Sequence, residues 1–222
     1  MMLETLERET GTNPAWSIIW LHGLGADGHD FAPIVPELVR PHWPALRFVF
    51  PRAPVRRVTI NNGVPMRAWY DILSLDFRSR ADAAGVADSV AQVEALIARE
   101  QERGMAPERI LLAGFSQGGA ITLAAGLARN QPLGGLVALS TYIPDPDAAR
   151  ASLTGAAAAQ PVFMAHGSSD PVIPVQIGEH SAQLLQQLGL AVEWHRYPMA
   201  HQVCAEEISD LGHWLEQRFA GS

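Results

Sequence analysis

Short apolar runs alternate with longer amphipathic stretches along nearly the whole chain, and this alternation constrains the fold more than any other feature. Residues 110–113 are uniformly apolar, which is typical of a strand buried on both faces of a sheet, and Trp16–Leu21 is a compact run rich in strand-forming residues. Residues 83–103 repeat apolar side chains every three to four positions, which predicts a long amphipathic helix. The pattern predicts an α/β fold with a mostly parallel central sheet, helices on both faces, and one domain over residues 1–222.

The remaining elements follow from the same reading of apolar periodicity. We predict further strands at 46–50, 68–70, 136–139, 162–165 and 191–197, and further helices at 27–39, 118–128, 176–188 and 203–219. Functional groups of such sheets lie beyond the carboxyl ends of the strands. The loops that follow residues 21, 113, 165 and 197 are therefore where candidate site residues are expected.

Composition excludes several classes of function. The chain has 16 basic and 23 acidic residues, a net charge of −7, which disfavours a nucleic-acid partner. Its single cysteine, Cys204, allows no internal disulfide and pairs with no ligand-spaced histidines, so neither a metal nor a cofactor is expected. No apolar stretch approaches the ~20 residues of a membrane helix, and residues 1–12 lack a signal-peptide core. We expect a cytoplasmic protein with no stable membrane insertion.

The candidate nucleophile is Ser116, in the segment Gly-Phe-Ser-Gln-Gly-Gly at 114–119. This segment follows a predicted strand and precedes a predicted helix, which is the context that the Gly-x-Ser-x-Gly motif of α/β-hydrolases requires. The chain must turn sharply there, and Gly114 and Gly118 flank the serine where side chains would collide. The alternative is a glycine-rich turn that carries a solvated serine.

The serine hydroxyl needs a base, and five histidines follow it in the chain. They are His166, His180, His195, His201 and His213. His201 alone follows a late predicted strand and precedes the final predicted helix, so we expect it to be the base. His166 ends a strand and is expected to be a packed or hydrogen-bonded wall residue.

The order of an α/β-hydrolase triad places an acid between the serine and the histidine. Asp170 follows the strand predicted at 162–165, and Pro171 disfavours helix at this position. We expect Asp170 to fix the tautomer of the histidine. Asp145 and Asp147 are the rivals, and their Pro-Asp-Pro-Asp context is also typical of a turn and helix cap.

Acyl transfer places negative charge on a carbonyl oxygen, which usually needs two N–H donors. The backbone N–H of Gln117, directly after the nucleophile, is the first candidate. The N–H of Leu24, in the segment His-Gly-Leu-Gly at 22–25, is the second, although that loop could equally be a plain strand end.

Several segments together resemble the acyl-protein thioesterase and bacterial carboxylesterase family, also described as the phospholipase/carboxylesterase group. They are Ile-Trp-Leu-His-Gly-Leu-Gly at 19–25, the serine segment at 114–119, His-Gly-Ser-Ser-Asp-Pro-Val-Ile-Pro at 166–174 and Tyr-Pro-Met-Ala-His at 197–201. The resemblance extends from about Trp16 to Phe219. It implies an α/β-hydrolase without a large cap domain, the triad and oxyanion donors named above, and a homodimer in some members.

The resemblance also bears on substrates. Residues 71–81 are similar to the loop that shapes the acyl site in the family, which implies substrate contacts for Leu73, Leu75 and Phe77, although ordinary packing would explain them equally. Two positions depart from the family pattern. Ala200 stands where glycine commonly precedes the histidine, so the loop could sit differently, and Cys204 stands where the family often has serine.

The expected function is that of a serine carboxylesterase acting on a small-molecule acyl ester of short to medium chain length through an acyl-enzyme. Thioester or lysophospholipid hydrolysis is the alternative, because the same oxyanion hole serves each carbonyl. A non-catalytic binding protein is a further alternative, since fold does not fix function. A peptidase is the weakest alternative, because peptidases of this kind often carry a large additional domain and a single domain is expected here.

Overall fold

The computed structural model describes residues 2–77 and 80–220. A seven-stranded sheet forms its centre, in the order β1-β3-β2-β6-β7-β8-β9. Its strands are β1 (Thr5–Glu9), β2 (Trp16–Leu21), β3 (Leu46–Pro51), β6 (Ile110–Phe115), β7 (Gly135–Leu139), β8 (Val162–Gly167) and β9 (Val192–Tyr197). All neighbours pair in parallel except β1, which is antiparallel to β3 at one edge.

Eight α-helices accompany this sheet within the described residues. They are α1 (Gly28–Phe31), α2 (Ile34–Leu38), α3 (Ala83–Glu102), α4 (Gln117–Leu127), α5 (Pro146–Ser152), α6 (Gly155–Ala158), α7 (Val175–Gln187) and α8 (Ala205–Phe219). A small antiparallel ribbon of β4 (Val55–Val58) and β5 (Val64–Arg67) lies apart from the main sheet.

Two hydrophobic cores lie on opposite faces of the sheet, because successive strand residues point to opposite sides. On one face, apolar residues of α3, α4 and α7 such as Leu96, Ile121 and Leu185 pack against β2 and β6. On the other, α2 and α8 contribute residues such as Leu38 and Trp214. The expected α/β-hydrolase architecture is confirmed, and no large cap covers the sheet in the described part of the chain.

The helix predicted at 27–39 is wrong as a single element, since the structure has two short helices there. Asp27 caps the first with its carboxylate, and Pro33 stands where the second begins. Proline lacks the N–H that a continuous helix would need and restricts the residue before it.

The strand predicted at 68–70 is also wrong, because this buried segment is a loop. The Trp69 N–H donates to Oε1 of Gln117 (2.8 Å), and Nε2 of Gln117 donates to the Tyr70 carbonyl (2.7 Å). The sequence reading also missed β1, β4 and β5, whose exposed and charged residues mask the strand pattern. Among the described residues, no helix has the length and apolarity to cross a bilayer.

Candidate active site

The turn from β6 into α4 holds Ser116 in a strained conformation. Its φ of 55° and ψ of −120° lie in a region that residues other than glycine rarely adopt. A Cβ on Gly114 would lie 2.4 Å from the Gly118 backbone, and one on Gly118 would lie 2.4 Å from the Leu21 carbonyl oxygen. Gly118 is therefore needed for the close approach of α4 to β2, and Gly114 for the close approach of β6 to α4, as the sequence predicted.

Three side chains from distant parts of the chain meet at the carboxyl edge of the sheet. Nε2 of His201 lies 2.8 Å from Oγ of Ser116. Nδ1 of His201 lies 2.6 Å from Oδ2 of Asp170. With the proton on Nδ1, the imidazole donates to the carboxylate and accepts from the serine hydroxyl, the arrangement in which a histidine can act as a base.

Backbone N–H groups fix the Asp170 carboxylate from its other side. Oδ1 accepts from the N–H of Val172 (2.8 Å) and of Ile173 (2.9 Å), so the turn after β8 folds back onto its own aspartate. The carboxylate is completely buried, whereas the His201 side chain is 16% exposed. Oδ1 thus stabilises the turn, and Oδ2 remains to accept a hydrogen bond from the His201 imidazole.

A second imidazole lies beside the same carboxylate. His166 is fully buried, its Nε2 donates to the Ile173 carbonyl (2.8 Å), and the same nitrogen is 3.4 Å from Oδ2 of Asp170. Burial lowers the pKa of His166, against opposing contributions from the Ile173 carbonyl and Asp170. The lowered pKa favours the neutral imidazole, and the residue is packed and hydrogen-bonded beside Asp170, as predicted. Gly178 of α7 makes room, since a Cβ there would lie 2.4 Å from Nδ1 of His166.

The rival acids occupy other roles in the structure. Asp145 caps α5 by accepting from the N–H groups of Asp147 and Ala148. The Asp147 side chain is 99% exposed and pairs with Arg150. The remaining histidines after Ser116 lie within β9, α7 and α8, away from the serine.

The loop at 22–25 is organised by a buried histidine. Nε2 of His22 accepts from the Ala53 N–H (3.0 Å), so its proton is on Nδ1, which donates to the Gly23 carbonyl (2.7 Å). Burial lowers the pKa of His22, which favours this neutral form. The His22 carbonyl in turn accepts from Nε1 of Trp69 (2.8 Å), so the loop is held from three directions.

Leu24 and Gln117 both line the cleft beside Ser116. The Gln117 N–H lies at the N-terminus of α4, where no preceding helical carbonyl is available to accept it. The Gln117 side chain holds the loop at 69–70, a role that sequence reasoning did not foresee. The two residues expected to supply oxyanion donors are thus brought beside the serine by the loop after β2 and by the turn after β6.

The cleft at Ser116 has a volume of about 430 Å³ and a largely apolar wall. Its lining includes Phe31, Tyr70, Ile72, Arg80, Phe115, Tyr142 and Ile173. The three residues that sequence reasoning proposed for substrate contacts are not part of it. Leu73 and Leu75 are 49% and 79% exposed, and Phe77 lines a neighbouring cavity of about 390 Å³ on the far side of Tyr142.

The two departures from the family pattern leave the site geometry intact. Ala200 does not have a positive φ, so no glycine is needed before the histidine. Cys204 is half-buried at the start of α8, and its side chain makes no capping bond. In residues 2–77 and 80–220, no three His, Cys, Asp or Glu side chains are placed to hold a metal ion.

The fold and this arrangement of side chains define an α/β-hydrolase with a serine nucleophile as the class of protein. Comparison with known proteins gives the family: the chain belongs to the phospholipase/carboxylesterase family, which matches residues 8–218. It is an esterase-type serine hydrolase.

Individual relatives carry two kinds of name. The chain is 39% identical to an acyl-protein thioesterase 1 of Mycosarcoma maydis, covering 94% of this chain and 93% of the relative. It is 33% identical to carboxylesterase SOBER1 of Arabidopsis thaliana, covering 92% and 91%. The crystal structure of SOBER1 superposes with a TM-score of 0.86 at 32% identity over 91% of this chain and 98% of that one. Acyl-protein thioesterase 2 of Zea mays superposes with a TM-score of 0.85 at 26% identity, over 97% and 99%.

Proposed function

We propose that this protein is a carboxylesterase that hydrolyses short- to medium-chain carboxyl esters through an acyl-enzyme. The observation that carries the proposal is the continuous hydrogen-bonded series from Oγ of Ser116 through the His201 imidazole to the buried Asp170 carboxylate. Such a series lets a neutral hydroxyl lose its proton as it attacks a carbonyl.

The reaction then follows from the positions of the groups. Oγ of Ser116 bonds to the ester carbonyl carbon while His201 takes the hydroxyl proton, and the carbonyl oxygen becomes an oxyanion held by the N–H groups of Leu24 and Gln117. His201 returns the proton to the leaving alcohol as the carbon–oxygen bond breaks. Water, deprotonated by the same imidazole, releases the acid and restores the serine.

The shape of the cleft supports shorter acyl groups. Arg80 and Tyr142 stand at its wall, and Tyr142 separates it from the neighbouring cavity that Phe77 lines. A long acyl chain would have to pass this wall to find more apolar surface. Turnover of 4-nitrophenyl acetate, butyrate, octanoate and palmitate tests the proposal, and we expect the maximum at butyrate or octanoate.

The role of the nucleophile is tested with Ser116→Ala, which should reduce kcat by about 10⁴-fold or more and leave a small residual rate. Ser169→Ala is the matched control, because Ser169 is an exposed serine of the neighbouring turn. Activity retained in Ser116→Ala, or failure of a fluorophosphonate to label Ser116, would refute the proposal and favour a binding protein.

Thioester hydrolysis is the second candidate, and the names of several relatives favour it. Matched oxygen and sulfur esters of the same acids discriminate the two, since only the leaving group differs. A thioester preference of more than about tenfold in kcat/KM would replace the carboxylesterase assignment. Lysophospholipids belong in the same panel. The cytoplasmic location and the homodimer stay predictions, to be tested by fractionation and by light scattering.

A further inference from the structure

A nearly buried arginine faces the catalytic cleft. Arg80 is 8% exposed and lines the cleft together with Ser116. Its guanidinium carbon lies 4.6 Å from the ring centre of Phe77 and 5.9 Å from that of Tyr142. The two rings hold the flat cation in one orientation, and aromatic faces attract cations without neutralising them.

This cation has no counter-ion in the part of the chain that the structure describes. The other buried arginine there, Arg129, pairs with the Glu94 carboxylate, but no carboxylate lies within 4 Å of Arg80. Nε of Arg80 is shielded from solvent and makes no hydrogen bond. The other charged residue lining the cleft is Asp30, whose carboxylate accepts from the Asp27 N–H in the cap of α1. Buried charges are usually paired, so an unpaired one in a cleft points to a ligand.

Two hydroxyl groups share the wall with this arginine. The phenol oxygens of Tyr70 and Tyr142 lie 3.1 Å apart, and both residues line the cleft. One O–H donates to the other, which leaves one phenol proton for another acceptor. A guanidinium fork beside a free O–H donor matches a carboxylate, which accepts several hydrogen bonds on two oxygens. Among the described residues that line the cleft, Arg80 is the one permanent cation, so a singly charged group fits better than a doubly charged phosphate.

We propose that the preferred ester substrates of this enzyme carry a carboxylate, which Arg80 and the Tyr70–Tyr142 hydroxyl pair bind while Ser116 attacks the ester carbonyl. This inference rests on the proposed esterase function and names its substrate class. A protein with a net charge of −7 repels anions in general, so a local cation is required to admit one.

The test compares matched esters that differ only in charge. On the acyl side, 4-nitrophenyl hydrogen glutarate is compared with its neutral methyl ester. On the alcohol side, 4-butyryloxybenzoate is compared with 4-butyryloxybenzamide. We expect the enzyme to prefer the acid in one pair, which also shows on which side of the ester the carboxylate lies.

Arg80→Met should lower the ratio of kcat/KM for the preferred anionic ester to kcat/KM for its neutral analogue by about 10- to 100-fold. Arg150→Met is the matched control, because it removes the same charge from an exposed arginine of α5. Tyr142→Phe should give a smaller loss of the same kind. Equal losses on the acid and the neutral ester, or no preference for either acid in the unsubstituted enzyme, would overturn the inference.

Inhibition of the unsubstituted enzyme gives a readout that does not depend on the folding of variants. Glutarate should compete with the neutral ester at least about tenfold more strongly than glutaramide, and salt should weaken this competition. Equal inhibition by the two would reject the carboxylate site even though esterase activity, lost in Ser116→Ala, remains intact. If the proposed esterase function itself were wrong, Ser116→Ala would instead retain activity.

Discussion

The two ends of the central sheet differ in how far their buried polar groups are paired. At the amino end, Glu100 of α3 is fully buried, and its oxygens accept from Oγ of Ser17 (2.9 Å), Nη1 of Arg47 (3.0 Å) and Nη1 of Arg103 (3.0 Å). The Glu100 carboxylate is therefore paired through both of its oxygens. This network also holds β1 and β3, through the pairs of Arg103 with Glu7 and Arg47 with Glu9.

The carboxyl end keeps several groups without partners among the described residues. Nδ1 of His166 and both carboxyl oxygens of Glu207 are buried there without a hydrogen bond, and Arg80 has no counter-ion. Ser116 adds backbone strain. Unsatisfied and strained groups tend to persist where function requires them, and the surrounding structure must compensate. The comparison teaches that this fold places its stabilising charges at one end and its reactive groups at the other.

The strongest test of this division is Asp170→Asn. The amide oxygen can still accept the Val172 and Ile173 N–H groups, so the turn should hold. The amide NH₂ would then face Nδ1 of His201 and favour the wrong tautomer, so we expect kcat to fall by about 10⁴-fold with little change in Tm. Asp147→Asn, at an exposed aspartate, is the control. A large loss of Tm with retained kcat would show that Asp170 is structural.

Glu100→Gln should produce the reverse pattern. Removing one partner of a buried ion cluster leaves the arginines uncompensated, so we expect the free energy of unfolding to fall by about 3 kcal/mol. Steady-state kinetics on a neutral ester should stay unchanged, and Glu102→Gln, at an exposed glutamate of the same helix, should change neither. If kcat falls together with the free energy of unfolding, the two ends of the sheet are coupled, and the proposed division between them is wrong.

Glu207 provides a test through pH. Burial raises the pKa of Glu207 to about 8, against a smaller opposing effect of the Cys204 N–H. The folded protein thus retains a proton that the unfolded chain has lost, and the free energy of unfolding should fall as pH rises from about 4.5 to about 8. Glu207→Gln should remove this slope and stabilise the protein by about 2 kcal/mol at pH 8. Denaturant titrations at several pH values measure the free energy of unfolding. Parallel plots of this free energy against pH for Glu207→Gln and for the exposed control Glu206→Gln would contradict the prediction.

The smallest expected effect concerns His166 as a positioning residue. His166→Ala removes the donor to the Ile173 carbonyl and loosens the turn that holds Asp170, so we expect kcat to fall by about tenfold with KM unchanged. His166→Gln retains an N–H donor and should recover most of the rate. His213→Ala, at an exposed histidine, is the control. A change in KM alone would assign His166 to substrate binding instead.

Much of the fold was predictable because buried strands have a local signature. Trp16–Leu21 was predicted to the residue, since all six positions are buried. Residues 68–70 are also apolar, but the Trp69 N–H donates to the side chain of Gln117, 48 residues away, rather than to a neighbouring strand. No local pattern encodes such a partner. The edge strand Thr5–Glu9 was missed because its glutamates, Glu7 and Glu9, form ion pairs rather than part of a core.

The candidate site was likewise predictable only in part. Ser116, Asp170 and His201 were identifiable because each follows a strand whose carboxyl end must lie at one edge of the sheet. The substrate wall was not, because loop conformation decides which side chains face the serine. Leu73 and Leu75 point to solvent, while Ile72 and Arg80 reach the cleft. A lone arginine in a loop has no sequence signature, and only burial without a counter-ion distinguishes it.

The strand order has a consequence for synthesis of the chain on the ribosome. β2 lies between β3 and β6, and β6 begins at Ile110, almost 90 residues after β2 ends. A nascent chain that has released only β1 to β3 therefore exposes an apolar strand edge until the β6 segment emerges. Such edges are prone to aggregate, so the translation of residues 52–115 is the interval in which chaperone protection matters most.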